Sequence, residues 1–195
     1  MITHSNIKRY DNLDWQSYQA MPQYSFSFLK REHNGSAPHF VTNDKMKLGS
    51  MIDAILTSPA TVDVTDPLFK VGRAIASNIM KMFGNEIKQF KPQVSYSGTA
   101  TLGGFHLPVK GRLDWLLEGH AVCDLKVTDA TDIATLIKFM RYDDQMFNYC
   151  GLAGVGKAYI FAYSKKLGKP LQPFALVKKP TSKFWEDKII KFGTI

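Results

Sequence analysis

The sequence predicts an α/β fold in a single domain, because helical and strand-like patterns alternate along one chain of suitable length. Three strand candidates, at about 91–100, 105–118 and 121–128, follow a mainly helical N-terminal part and precede further helices. With 195 residues, the chain is long enough to bury one substantial core. No internal repeat or low-complexity tract divides the chain, so we expect residues 1–195 to form one domain.

The individual elements are predicted from apolar periodicity and turn signals. Apolar residues at positions 48, 51, 52, 55 and 56 recur at helical spacing, and the carboxylate of Asp132 can cap a helix start. We expect helices at about 24–33, 45–57, 72–90, from 131, from 143 and at 181–191, and further strands at 157–163 and 172–177. The N-terminal helical part is then about 1–90, the core about 45–163, and the C-terminal strand and helix about 170–192.

The second and third strands carry charged residues close to a predicted hairpin turn. Glu118-Gly119-His120 separates them, and glycine adopts positive φ readily. With a three-residue loop, Asp114 lies opposite Asp124, whereas a two-residue loop places the two carboxylates on opposite faces of the sheet. Asp124 and Lys126 share a face in either register, because side chains alternate along a strand.

Two carboxylates and one ammonium on a mostly buried sheet are costly unless they are paired or bind a metal. One interpretation is an ordinary Asp124–Lys126 salt bridge at a sheet end. The other is metal-assisted phosphodiester hydrolysis, because hard oxygen ligands select Mg²⁺ or Mn²⁺. Lys126 would then orient or deprotonate the attacking water, or stabilise charge on the phosphorus.

Composition favours a nucleic-acid partner. The net charge is +8 and the sequence pI is about 9.4, and a basic surface attracts polyanions. No apolar run is long enough to span a membrane or looks like a signal peptide, so we expect no membrane association. The two cysteines, Cys123 and Cys150, cannot form a zinc or iron–sulfur cluster by themselves. Two buried thiols suit a reducing, cytoplasmic compartment.

Four short motifs follow one another along the chain: Gly49-x-x-x-Asp53, Gly111-x-x-Asp114, Asp124-x-Lys126 and Gln145-x-x-x-Tyr149. In these motifs the chain resembles the PD-(D/E)XK nuclease superfamily, in particular its RecB-like branch and the phage and prophage exonucleases of the RecE type. The resemblance covers about half of the chain. It implies a restriction-endonuclease-like αβββαβ core, with a mixed central sheet flanked by helices.

The resemblance also implies an activity, which is Mg²⁺- or Mn²⁺-dependent exonuclease cleavage of linear DNA in phage-type recombination or DNA processing. The implied catalytic residues are Asp114, Asp124 and Lys126. The implied metal ligands are Asp114, Asp124, the backbone carbonyl of Leu125 and Asp53. Gln145 and Tyr149 would position the substrate. Arg112 shares a face with Asp114, where it would meet a phosphate or neutralise one of the two strand carboxylates.

Two positions depart from the family pattern. Asp53 replaces the histidine of the first motif, although aspartate is also a hard-oxygen ligand. Gln93 lies on the first strand, where relatives often carry an acid. These changes keep open the alternative of a DNA-binding protein with weakened catalysis. A structure-selective endonuclease with the same site and fold is a second alternative.

The implied partners follow from the same resemblance. The substrate would be DNA, most simply a linear duplex with a free end. A homo-oligomer that encircles DNA and a strand-annealing protein are further partners that the resemblance implies.

Overall fold

The computed structural model describes residues 1–35, 44–89, 91–177 and 181–195, in which a mixed sheet is flanked by helices. The strands are β1 (Thr3–Tyr10), β2 (Tyr24–Ser25), β3 (Lys91–Leu102), β4 (Phe105–Leu117), β5 (Ala121–Thr128), β6 (Lys157–Ser164), β7 (Lys169–Pro170) and β8 (Phe174–Val177). The helices are α1 (Trp15–Ala20), α2 (Phe26–His33), α3 (Asp44–Thr57), α4 (Phe69–Ile87), α5 (Ile133–Met140), α6 (Tyr142–Ala153) and α7 (Lys183–Phe192). The predicted mixed α/β architecture is therefore confirmed.

The sheet joins an antiparallel half to a parallel pair. Its order is β1-β3-β4-β5-β6-β7, with β2 on β4 and β8 on β6. Strands β3, β4 and β5 form an antiparallel meander, whereas β5 and β6 are parallel and are connected through α5 and α6. A parallel pair requires such a crossover, since its strands cannot be joined by a tight turn.

Apolar side chains on the two faces of the sheet form separate clusters. Cys123 and Leu125 of β5 pack with Ile52 of α3 and Ile79 of α4. The other face packs against α2, α6 and α7 in the larger cluster. Because side chains alternate along β5, the intervening Asp124 points away from the α3–α4 cluster. This alternation directs the charged residues of β5 out of that apolar cluster.

The predicted helical part of residues 1–90 begins instead with strand β1, which pairs antiparallel with β3. The strand lies at the edge of the sheet, and most of its residues are exposed. An edge strand that is polar on both faces has no alternation of apolar residues, which explains why the sequence pattern does not predict it. Elsewhere the predicted bounds agree with the structure to within a few residues. Phe90, the last residue of one predicted helix, lies outside the described residues.

The helical stretch after β5 is interrupted, as the sequence predicts. Arg141 has a φ of 53°, so α5 ends there and α6 begins at Tyr142. The left-handed conformation reorients the chain between the two helices. In the described part of the chain, no helix combines the length and apolar character needed to cross a membrane.

Candidate active site

The candidate site lies where one edge of β4 loses its strand partners. Strand β5 pairs with β4 at Trp115–Leu117, and β2 pairs with it at Val109–Lys110. Between these two ladders, Arg112, Leu113 and Asp114 line a cleft of about 840 Å³. A cleft of this volume can hold a small ligand or a short segment of a polymer. The separation of β2 and β5 along β4 therefore creates the opening.

Of the two loop lengths that the sequence leaves open, the structure has the three-residue hairpin loop. Leu117 pairs with Ala121, the amide of His120 donates to the carbonyl of Leu117 at 3.0 Å, and Gly119 has a φ of 69°. A positive φ at this position favours glycine, because it lacks a Cβ. The loop sets the register that brings Asp114 near β5.

The pairing of β4 with β5 stops one residue before the two carboxylates would face each other in the ladder. Its last recorded pair is Trp115 with Cys123. Beyond it, Asp114 Oδ2 accepts a hydrogen bond from the amide of Leu125 at 2.7 Å. The predicted direct pairing of Asp114 with Asp124 is therefore replaced by a side-chain contact across separating strands. This separation gives the carboxylates access to the cleft.

Lys126 forms an ion pair with Asp124 at the floor of this cleft. The Asp124 side chain is 3% exposed and that of Lys126 is 18% exposed. The ammonium also lies 4.6 Å from the centre of the Tyr142 ring, at a distance suited to a cation–π contact. The structure thus contains the predicted salt bridge, and it places that bridge beside another carboxylate in an open cleft.

The charges of the site change the proton affinity of its members. Burial raises the pKa of Asp114 well above its ordinary value, and the negative charges of Asp124 and Asp53 raise it further. For Lys126, burial alone would lower the pKa, but the effects of Asp124, Tyr142 and Asp114 exceed it and raise the pKa. Lys126 is therefore protonated at neutral pH, and the ionised form of Asp114 is disfavoured.

Asp53 reaches the same cleft from α3 and is held by Gln93. The Gln93 side chain donates to Asp53 Oδ2 at 2.9 Å and accepts from Arg112 at 2.6 Å. Burial raises the pKa of Asp53, against the opposing effects of the Gln93 hydrogen bond and the Arg112 charge. The other oxygen, Oδ1, is buried without a hydrogen-bond partner among the described residues. Gln93 itself has a φ of 52°, a strained backbone for a residue other than glycine.

Arg112 has a role that the sequence does not predict. Besides Gln93, its guanidinium donates to the carbonyl of Leu13 at 2.8 Å and lies 5.7 Å from the centre of the Trp15 ring. Its positive charge also lowers the pKa of Asp53. Arg112 therefore links the N-terminal segment to the carboxylate cluster.

Gln145 and Tyr149 line the cleft from α6, as their i,i+4 spacing predicts. The Gln145 side chain donates to the Tyr149 hydroxyl at 2.9 Å. A Cβ atom at Gly111 would lie 2.9 Å from the Tyr149 ring. Glycine is thus required in the second motif because the tyrosine ring packs against the backbone of β4.

Two further residues of the cleft, Lys110 and Trp15, are absent from the sequence prediction. Lys110 alternates with Arg112 along β4, and its buried ammonium donates to the carbonyls of Tyr18, Gln19 and Met21. Periodicity along β4 could have identified Lys110 as a cleft residue. No sequence signal marks Trp15, which reaches the cleft only through the contacts of α1.

The carboxylate oxygens of the site are the type of ligand that a hard divalent cation prefers. Three aspartates line one cleft, and one buried oxygen of Asp53 lacks a partner. A cation would offset the mutual repulsion that raises the pKa of Asp114. However, within the described ranges no group of three His, Cys, Asp or Glu side chains is already close enough to share an ion. The residues suit the metal chemically, and binding it would require them to converge.

Comparison with known proteins identifies a similar fold but no family. No protein-family model and no curated protein sequence matches the chain. The structure is similar to that of a candidate exonuclease from Eubacterium rectale, with 17% sequence identity and a TM-score of 0.60 over 92% of this chain and 82% of that one. SSO0001 follows with 15% identity and a TM-score of 0.44, over 89% of this chain and 88% of that chain.

A third similarity is to Candida albicans Rai1 in complex with pU5-Mn²⁺, with 13% identity and a TM-score of 0.30 over 78% of this chain and 56% of that one. This similarity and the one to SSO0001 are too weak to support an argument about function. The first similarity shows that the chain shares a fold with the Eubacterium rectale protein.

Proposed function

We propose that the chain is a divalent-metal-dependent deoxyribonuclease of the PD-(D/E)XK superfamily that degrades linear DNA from an end. The observation that carries this proposal is the cluster of Asp53, Asp114 and Asp124 beside Lys126 in the cleft at the unpaired edge of β4. The fold shared with a candidate exonuclease and the net charge of +8 support it. A role in phage-type recombination, with a homo-oligomer or a strand-annealing protein as partner, belongs to the same proposal.

The residues of the site have two roles, metal binding and stabilisation of the transition state. Asp114, Asp124, the carbonyl of Leu125 and Asp53 would hold Mg²⁺ or Mn²⁺. When bound, this ion would supply the positive charge that draws the scissile phosphate to the carboxylates and polarises it. Lys126 is protonated, so we assign it to stabilising negative charge in the transition state rather than to removing a proton from water.

Gln145 and Tyr149 position the strand from α6. Their mutual hydrogen bond fixes the Tyr149 hydroxyl, and burial raises the pKa of that group well above its ordinary value. Tyr149 therefore remains neutral and acts as a hydrogen-bonding and packing group. Arg112 provides positive charge near Asp53.

A DNA-binding protein without turnover is the second candidate. It is favoured by Asp53 in place of the family histidine and by the absence, in the described residues, of a carboxylate set already closed on one point. Such a protein would bind DNA equally well in a chelator. A structure-selective endonuclease of the same fold would differ by cutting circular DNA, which offers no end.

The decisive experiment compares degradation of linear and covalently closed duplex DNA in Mg²⁺, Mn²⁺ or chelator. We expect loss of the linear substrate alone, abolished by chelator and reduced at least about 100-fold by Lys126→Ala. Lys138→Ala, an exposed lysine on α5, is the matched control and should retain full activity. Melting of each variant establishes that it is folded, and Lys126→Arg tests whether charge alone suffices. DNA degradation that is unaffected by chelator, or a Lys126→Ala variant that still degrades DNA, would contradict the proposal.

A further inference from the structure

Trp15 and Tyr18 form an aromatic surface, here called the aromatic shelf, at the border of the candidate active site. Trp15 is 52% exposed and lines the cleft, whereas Trp115 and Trp185 are 1% and 0% exposed. The Trp15 ring stacks on that of Tyr18, with centroids 5.5 Å apart and planes inclined by 26°. About half of the Trp15 surface therefore remains free beside the carboxylate cluster. An isolated exposed tryptophan is common on protein surfaces, but this one belongs to the wall of the proposed catalytic cleft.

The shelf is fixed to the strand that carries Asp114. Helix α1 has only six residues, a length that is unstable without outside support. Its C-terminal carbonyls, including those of Tyr18 and Met21, accept hydrogen bonds at 2.8–3.1 Å from the buried ammonium of Lys110. Arg112 binds the carbonyl of Leu13 just before the helix. Two basic residues of β4 are thus used to hold α1, which fixes Trp15 in space relative to Asp114.

The chemistry of the shelf suits a nucleobase. The exposed part of the Trp15 ring offers a surface for stacking, and the Arg112 guanidinium, 5.7 Å from the ring centre, places positive charge beside it. Stacking on an aromatic side chain contributes about 1–3 kcal/mol per base and accepts any base, since every base has a π face. We propose that Trp15 stacks on a base of the nucleic-acid strand whose scissile phosphate lies beside Asp114 and Asp124. This inference rests on the proposed function and adds a base-binding subsite to it.

The distribution of tryptophans gives a direct test. We would titrate the full-length protein with a short single-stranded oligothymidylate in Ca²⁺, an oxygen-seeking cation, and record tryptophan fluorescence. Since Trp115 and Trp185 are buried, quenching by the oligonucleotide should come from Trp15 and should be absent in Trp15→Phe. Affinity measured by anisotropy of a labelled oligonucleotide should fall about 5- to 150-fold in Trp15→Ala and much less in Trp15→Phe. Phe139→Ala is the matched control, because Phe139 is 74% exposed but does not line the cleft.

The outcomes separate this inference from the proposed nuclease activity. Quenching without DNA degradation would support the stacking subsite and contradict the catalytic proposal. Degradation without quenching, or with equal affinity in native protein and a folded Trp15→Ala variant, would overturn the subsite and leave the nuclease intact. Equal quenching in Trp15→Phe would also overturn it, because the signal would then come from another tryptophan.

Discussion

Charged side chains on two adjacent stretches of β4 lie in opposite electrostatic environments. Lys110 donates to three backbone carbonyls, and Arg112 donates to a carbonyl and to Gln93, so both cations are satisfied by fixed acceptors. Two residues further along, burial raises the pKa of Asp114, and the like charges of Asp124 and Asp53 raise it further. Fully compensated charge holds the fold together, whereas buried charge that is compensated only in part is costly and is typical of functional sites.

The compensated stretch should fail structurally when its charge is removed. Lys110→Ala leaves the carbonyls at the end of α1 without their donor, and we expect a loss of about 1–3 kcal/mol in the free energy of unfolding. Urea denaturation measures this value. Lys138→Ala, at an exposed position, should stay within about 0.5 kcal/mol of the native protein. Equal stability of the two variants would show that Lys110 does not anchor α1.

Gln93 forms hydrogen bonds with both Arg112 and Asp53, and its backbone is strained. The contribution of the hydrogen bonds and the cost of the strain can therefore be measured separately. Gln93→Ala removes the hydrogen bonds to Asp53 and Arg112 but keeps the strain, while Gln93→Gly removes both. We expect Gln93→Gly to be more stable than Gln93→Ala by about 1 kcal/mol, since glycine adopts positive φ freely. DNA degradation should fall by a similar factor in both. If the rate of DNA degradation were instead lower in the less stable variant, the loss of activity would be due to weakened folding.

The smallest effect is expected at an exposed charge cluster away from the cleft. Glu118 accepts two hydrogen bonds from Arg9, at 2.6 and 2.9 Å, and pairs with Lys91. The Arg9 and Lys91 hydrogen bonds lower the pKa of Glu118 to about 2. Because solvent screens exposed pairs, Glu118→Gln should cost only about 0.2–1 kcal/mol at neutral pH.

The sign of the pH dependence follows from the lowered pKa of Glu118. Its contribution is fully present above the ordinary value of 4.5 and is lost as the pH falls toward about 2. Denaturation of native protein and Glu118→Gln across this range should therefore converge at the acid end. A difference that persisted or grew in acid would contradict the assignment.

The sequence predicts the parts of the site that depend on local spacing. The hairpin turn at Gly119 and the shared face of Asp124 and Lys126 follow from turn chemistry and strand geometry, whereas the length of the loop does not. The end of the β4–β5 pairing beyond Trp115 does not, because it depends on where β2 and β5 separate along β4.

Contacts between distant parts of the chain are also invisible to local patterns. Lys110 and Tyr18 lie 92 residues apart, and the hydrogen bond between them brings Trp15 to the cleft. A polar edge strand such as β1 likewise has no apolar periodicity to read. Sequence reasoning therefore finds the carboxylates and the lysine, while the N-terminal wall of the cleft emerges only from the structure.

Asp114 is a buried carboxylate whose charge the surrounding groups compensate only in part. Its raised pKa means that the ionised form costs folding free energy above the unfolded-state pKa, and that this cost is relieved as the pH falls. Asp114→Asn removes the charge and keeps an acceptor for the amide of Leu125. The most direct measurement is therefore the melting temperature of the native protein and of Asp114→Asn, in chelator and in Mn²⁺.

In chelator we expect Asp114→Asn to melt above the native protein although it no longer degrades DNA. Mn²⁺ should raise the melting temperature of the native protein much more than that of the variant. A variant that melts below the native protein in chelator, with no effect of Mn²⁺ on either, would show that Asp114 serves the fold and would contradict the account.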